Sequence, residues 1–277
     1  MINETEITTK VNQLLGKGLG SYTEKEALKI VMQCIDLTTL EGADTTEKVI
    51  ALCHKAKSFA AMGYDIPNVA AVCVYPTLVA VVKEALKGTA IRTASVAGAF
   101  PSGQSPLFVK LVEVKYALDE GADEIDMVIS RGSLLEGEYQ KVEDEIAAIK
   151  EYCGKVHLKV ILETGELLTL TNVRKASEIA IAAGADFLKT STGKISPGAT
   201  ETAFYVMAEA IKEHYLNTGK KVGIKAAGGV AETDQALNYL KIVKEILGTE
   251  WLNKDLFRIG ASRLADKIAV RLSTLST

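Results

Sequence analysis

The sequence predicts an α/β fold, a closed (β/α)8 TIM barrel with a short N-terminal helical extension, and three observations carry that prediction. Eight short apolar, β-rich runs recur along the 277 residues. Longer amphipathic stretches lie between them, the pattern of successive βα units and a parallel sheet. Gly121-Ala122-Asp123 and Gly184-Ala185-Asp186 repeat one junction, a glycine suited to a left-handed helix C-cap followed by the start of a strand.

In chain order, residues 1–22 are polar and glycine-bearing and read as an N-terminal arm. A helix opens at Thr23-Glu24-Lys25-Glu26, which has capping-box spacing. Strands are expected at Cys34–Thr38, Val69–Tyr75, Ile91–Ala97, Glu124–Ile129, His157–Leu162, Phe187–Thr190, Val222–Ala226 and Phe257–Gly260. Helical stretches at Thr77–Leu86, Glu138–Tyr152, Val173–Ala183, Thr200–Tyr215 and Thr233–Leu247 are each long enough for a right-handed crossover. No linker interrupts the series, so residues 1–277 are expected to form a single barrel domain.

Charge and composition narrow the function. The formal net charge is −3, and lysine and arginine are dispersed, so no nucleic-acid partner is expected. The longest uninterrupted apolar run, Val69–Tyr75, is far shorter than the roughly 18 residues that suggest a membrane span. The acidic start, Met1-Ile2-Asn3-Glu4-Thr5-Glu6, lacks the character of a leader, which makes the cytoplasm the expected location. Four cysteines without CxxC spacing and three unpaired histidines signal neither a disulfide framework nor a metal site, and no cofactor is expected. Cys34 and Cys73 lie in apolar runs, where a reduced cysteine is usually a small core residue.

Barrel enzymes place their chemistry at the carboxyl ends of the strands. Four consecutive predicted strands carry polar residues there that their apolar context does not explain: Asp126, Lys159, Lys189 and Lys225. Adjacent strands run about 4.8 Å apart, so these side chains can meet if all point inward. A lone lysine at a strand end is ordinarily solvated, but three on neighbouring strands suggest a nucleophile and its perturbers. Crowding and desolvation depress an ammonium pKa and leave the neutral amine that attacks a carbonyl. Asp126 would offset part of the charge and serve acid–base steps.

Anion-binding features follow the last three strands: Ser191-Thr192-Gly193-Lys194, the pair Gly228-Gly229, and Gly260-Ala261-Ser262-Arg263. Loops after strands seven and eight are the usual phosphate site of such barrels, and glycine lets backbone amides approach oxygens at a helix N-terminus. Arg263 has two readings, a phosphate ligand or a surface arginine paired with Asp266.

Several stretches together resemble the deoxyribose-phosphate aldolase family. They are Ile35-Asp36-Leu37-Thr38, Val72-Cys73-Val74-Tyr75-Pro76, Gly121-Ala122-Asp123-Glu124-Ile125-Asp126, Lys159-Val160-Ile161-Leu162-Glu163-Thr164-Gly165, Gly184-Ala185-Asp186-Phe187-Leu188-Lys189-Thr190-Ser191-Thr192-Gly193 and Val222-Gly223-Ile224-Lys225. The resemblance spans about residues 25 to 272. It implies a metal-independent class I aldolase that reversibly cleaves 2-deoxy-D-ribose 5-phosphate to D-glyceraldehyde 3-phosphate and acetaldehyde. Lys189 would form the Schiff base, Lys225 would lower its pKa, and Asp126 would relay protons with Lys159. Asp36 and Cys73 would border the substrate pocket, although Asp36 also fits a barrel brace and Cys73 a core position. Thr190, Gly193, Gly228, Gly229, Gly260, Ser262 and Arg263 complete the expected substrate contacts. A homodimer is compatible with the resemblance.

The chain departs from the family at three places. It reads Lys225-Ala226-Ala227-Gly228-Gly229 where the family commonly has Lys-Pro-Ala-Gly-Gly or Lys-Ala-Ser-Gly-Gly, Arg263 stands at a common serine position, and no tyrosine follows Tyr239. Two other readings of the residues remain: a class I aldolase for another phosphosugar, and a non-catalytic phosphosugar-binding barrel.

Overall fold

The computed structural model describes residues 2–275. Eight parallel strands close into a barrel in chain order, with the first hydrogen-bonded to the last. They are β1 (Ile35–Thr38), β2 (Ala71–Val74), β3 (Arg92–Ala97), β4 (Glu124–Val128), β5 (His157–Ile161), β6 (Phe187–Lys189), β7 (Gly223–Ala227) and β8 (Phe257–Ala261). The helices are α1 (Glu4–Leu15), α2 (Glu24–Gln33), α3 (Thr46–Ser58), α4 (Val79–Ala85), α5 (Leu107–Asp119), α6 (Arg131–Leu135), α7 (Tyr139–Cys153), α8 (Leu170–Ala182), α9 (Glu201–Thr218), α10 (Thr233–Ile246) and α11 (Leu264–Thr274). Every expected strand is present, with ends moved by one or two residues.

Strands buried on both faces read as continuous apolar runs, which is why all eight were visible. Alternation along each strand then sorts the side chains. Ile35, Leu37, Val72, Val74, Ile125, Met127, Leu158, Val160, Leu188, Ile224, Phe257 and Ile259 belong to the larger apolar cluster shared with the helices. Ala71, Cys73, Ala94, Val96, Val128 and Ile161 form a second, smaller cluster with Leu40 and Phe100. The charged residues of the same strands alternate with the outer set, so one side of the barrel interior is aliphatic and the other ionic.

The N-terminal extension is the helix α1, packed on α9 and α10. Its Val11 and Leu14 are buried, and Lys241 Nζ donates to the Leu15 carbonyl at 3.0 Å. The Thr23 capping box that opens α2 is formed as the spacing predicts. Of the expected stretch Thr77–Leu86, only Val79–Ala85 is α-helical, because Pro76–Leu78 makes a 3-10 turn first.

Candidate active site

Seven ionisable side chains from six strands meet inside the barrel, and all are buried: Asp36, Glu124, Asp126, Lys159, Lys189, Lys225 and Arg258. Register explains the meeting. Asp126 lies opposite Lys159, and Lys189 opposite Lys225. Asp126 is the hub. Its Oδ1 accepts from Lys159 Nζ at 2.7 Å, and its Oδ2 accepts from both Lys189 and Lys225 at 2.8 Å. Lys225 also donates to Asp36 Oδ2 at 2.5 Å.

A lower tier supports this hub. Lys159 pairs with Glu124 Oε2 at 2.5 Å, and Arg258 reaches Asp36 Oδ1 and Glu124 Oε1, each at 2.6 Å. Arg92, half-buried on β3, donates to Glu124 Oε1 at 2.8 Å.

The electrostatics separate the lysines. Burial lowers the Lys189 pKa from its ordinary value, the adjacent Lys225 charge adds to that, and Asp126 opposes both without prevailing. Lys225 is equally buried, but Asp126 and Asp36 more than offset the desolvation and hold it well above the usual lysine range. Lys159 is likewise raised, since Asp126, Glu124 and Asp36 outweigh its burial. Burial alone would raise Asp126, yet Lys159, Lys189 and Lys225 hold it well below the carboxylate range. Cys73, buried in the aliphatic half, has its thiol pushed up to about 11, mainly by burial.

Above this cluster opens a cavity of about 720 Å³. Lys189 is the member of the ionic cluster that lines it. Thr38, Thr192, Gly193, Lys194, Gly228, Gly229, Gly260, Ser262 and Arg263 form the wall. Gly260 is tightly packed: a Cβ there would stand 3.2 Å from Lys225 Cε and 3.0 Å from the Ala227 Cβ, so those side chains would have to give. Gly228 combines φ +89° with backbone packed against Gly193 and Gly198, so a side chain there would be both strained and crowded. The α11 N-terminus follows Arg263 with no side-chain cap, which leaves its dipole to the cavity.

Residues 30–245 match the model of the DeoC/LacD family aldolases. The chain belongs to that family. It is 48% identical over 244 residues to the deoxyribose-phosphate aldolases of Homo sapiens and Mus musculus, covering 84% of this chain and 77% of each relative. A solved deoxyribose phosphate aldolase from Aeropyrum pernix, described as having a unique tetrameric structure, superposes with a TM-score of 0.68 at 25% identity, covering 99% of this chain and 100% of that one.

Within this DeoC/LacD aldolase barrel, Asp36, Asp126, Lys159, Lys189 and Lys225 come together, with Cys73 on the neighbouring strand β2. Gly193, Gly228, Gly229, Gly260, Ser262 and Arg263 share the cavity wall. Thr190 is placed differently from the expectation. Its buried hydroxyl donates to the Ala227 carbonyl at 2.9 Å and accepts from the Ala227 N–H at 3.0 Å, so it ties β6 to β7 and does not line the cavity. Two residues on, Thr192 takes the wall position. The surface pairing of Arg263 with Asp266 is not formed: Asp266 pairs with Lys55 of α3, and no hydrogen bond or ion pair among the described residues engages the Arg263 guanidinium.

Three supporting residues were not anticipated: Glu124, Arg258 and Glu163. Glu163 adopts φ 54°, a left-handed conformation that costs a non-glycine residue on the order of 1 kcal/mol or more. Its buried carboxylate accepts from the Thr192 hydroxyl at 2.5 Å and from the Thr192 N–H at 3.2 Å, holding the loop that carries Gly193 and Lys194.

Proposed function

We propose that this chain catalyses the reversible cleavage of 2-deoxy-D-ribose 5-phosphate to D-glyceraldehyde 3-phosphate and acetaldehyde through a Schiff base on Lys189. The observation that carries the reading is the placement of Lys189 between the ionic cluster and the open cavity, with a pKa lowered by burial and by Lys225. The named activity of relatives 48% identical over most of the chain supports the choice of substrate.

In this reading the neutral Lys189 amine attacks C1 of the open-chain aldehyde, and loss of water gives the iminium. Asp126 lies 2.8 Å from the Lys189 nitrogen and so borders the first carbons of the bound sugar. It accepts the C3 hydroxyl proton, directly or through one water, as the C2–C3 bond breaks and its electron pair moves into the iminium. Glyceraldehyde 3-phosphate leaves, and the enamine remains. Because the Lys159 and Lys225 ammonium groups make Asp126 a weak base, it returns the proton readily to C2. Water then hydrolyses the imine and releases acetaldehyde.

The substrate phosphate is assigned to the wall formed by Gly193, Gly229, Gly260, Ser262 and Arg263. Incubation with deoxyribose 5-phosphate should yield both aldehydes in equal amounts. Turnover of a different phosphosugar alone would favour another aldolase of the same chemistry. A hydrogen bond to a charged group contributes about 1.5–3 kcal/mol, or roughly 10- to 150-fold. Arg263→Ala should therefore lower kcat/KM at least about tenfold for deoxyribose 5-phosphate and hardly at all for unphosphorylated deoxyribose. Equal effects on the two substrates would remove Arg263 from the phosphate site.

The proposal includes a homodimer. Phe108, Val112 and Tyr116 are exposed along one face of α5, and the Aeropyrum pernix relative is described as tetrameric. Sedimentation should show a dimer that Phe108→Asp dissociates; an unchanged mass would exclude this face.

A further inference from the structure

We propose that Arg258 and Glu124 are positioning residues that complete a charge-matched set beneath the cavity, three carboxylates against three cations, and so leave Lys189 as the lysine whose proton the cluster does not need. The inference rests on the Schiff-base reading above and extends it to two residues that do not touch the cavity.

The bonding pattern carries it. Lys159 holds Glu124 and Asp126, Lys225 holds Asp36 and Asp126, and Arg258 holds Asp36 and Glu124. Three cations and three carboxylates thus close a ring in which each ion has at least two partners of opposite sign, Lys159 also reaching Asp36 at 3.8 Å. Lys189 stands outside that ring. Its one ion-pair partner among the described residues is Asp126 Oδ2, an oxygen already bonded to Lys225. Protonating Lys189 would therefore add a fourth positive charge to a set that already balances.

The remaining neighbours do not upset the count. Cys73 on β2 keeps its proton, with its thiol at about 11. Arg92 on β3 divides its charge between Glu124 and the exposed Asp255. Lys194, on the loop after β6, is matched by Glu41 at 2.9 Å. Stability alone is a poor reason for such a ring, because buried ion pairs are often no better than apolar packing.

The test is the rising limb of the kcat/KM pH profile, which reports deprotonation of Lys189 in the free enzyme. Arg258→Met removes a cation, so the surplus carboxylate favours the Lys189 ammonium and the limb should move to higher pH by about half a unit or more. Glu124→Gln removes an anion and should move the limb to lower pH. The double variant Glu124→Gln/Arg258→Met removes one of each and should return the limb close to its original position. It also keeps the test available if Arg258→Met alone does not fold, since the limb must then lie higher in the double variant than in Glu124→Gln. A residue that merely braces the barrel would lower activity without these opposed movements. Shifts in one direction for both substitutions, or no shift in either, would overturn the proposal. Failure of borohydride to trap acetaldehyde on Lys189 of the unmodified protein would instead refute the underlying reading.

Discussion

Lys189→Ala is expected to lower kcat/KM for deoxyribose 5-phosphate by on the order of 10^4-fold or more, the scale of loss when a covalent nucleophile is removed. The fold should survive, because Lys189 stands outside the ring of paired charges and its removal leaves each carboxylate with at least two cations. Lys189→Arg should be as inactive, since a guanidinium does not become a neutral nucleophile at working pH. Steady-state assays with circular dichroism as the control for folding check both. Substantial turnover by either variant would mean that the carbon–carbon bond breaks without an imine at this residue.

Lys225→Leu is expected to produce the next largest effect. Lys189 and Lys225 each bond Asp126 Oδ2 at 2.8 Å, so their nitrogens lie within twice that distance. The sign follows from charge. Lys225 stays protonated, its positive field disfavours the Lys189 ammonium, and removing that field raises the Lys189 pKa. Two unit charges at that separation in an effective dielectric of about 20 interact strongly enough to shift a profile by on the order of two pH units. The limb on which activity rises with pH should therefore move to higher pH, with most activity lost at neutrality and partly regained under alkaline conditions. An unmoved limb would show that Lys225 acts only through packing or through Asp126.

The sequence made part of this site legible for a definite reason. Asp126, Lys159 and Lys225 interrupt apolar runs at mid-strand and Lys189 closes β6, positions where solvation gives no ready account of them. Arg258 interrupts a similar run, Phe257-Arg258-Ile259, but sits near the start of β8, where a charged residue reads as a solvated strand end. Glu124 opens β4 and reads in the same way. Their burial follows from barrel closure, which periodicity within one strand does not express. The difference between Thr190 and Thr192 is one of register: both are small hydroxyl residues after β6, and only the Ala227 backbone across the sheet decides which is engaged. Asp266 lies one helical turn from Arg263 in sequence, but its partner Lys55 comes from α3 at the far end of the chain. Such long-range competition has no local signature. Glu163 was visible only as part of a motif, since its left-handed backbone and its bonds to Thr192 depend on the packing of the loops after β5 and β6.

The central claim, that Lys189 is the Schiff-base residue, is most directly tested by reducing the protein with borohydride in the presence of acetaldehyde and mapping the modified peptide. A single two-carbon adduct on Lys189, absent without acetaldehyde and absent from Lys189→Ala, is the result expected. An adduct on Lys225 or Lys159 instead, or no adduct in a protein that turns over deoxyribose 5-phosphate, would contradict it.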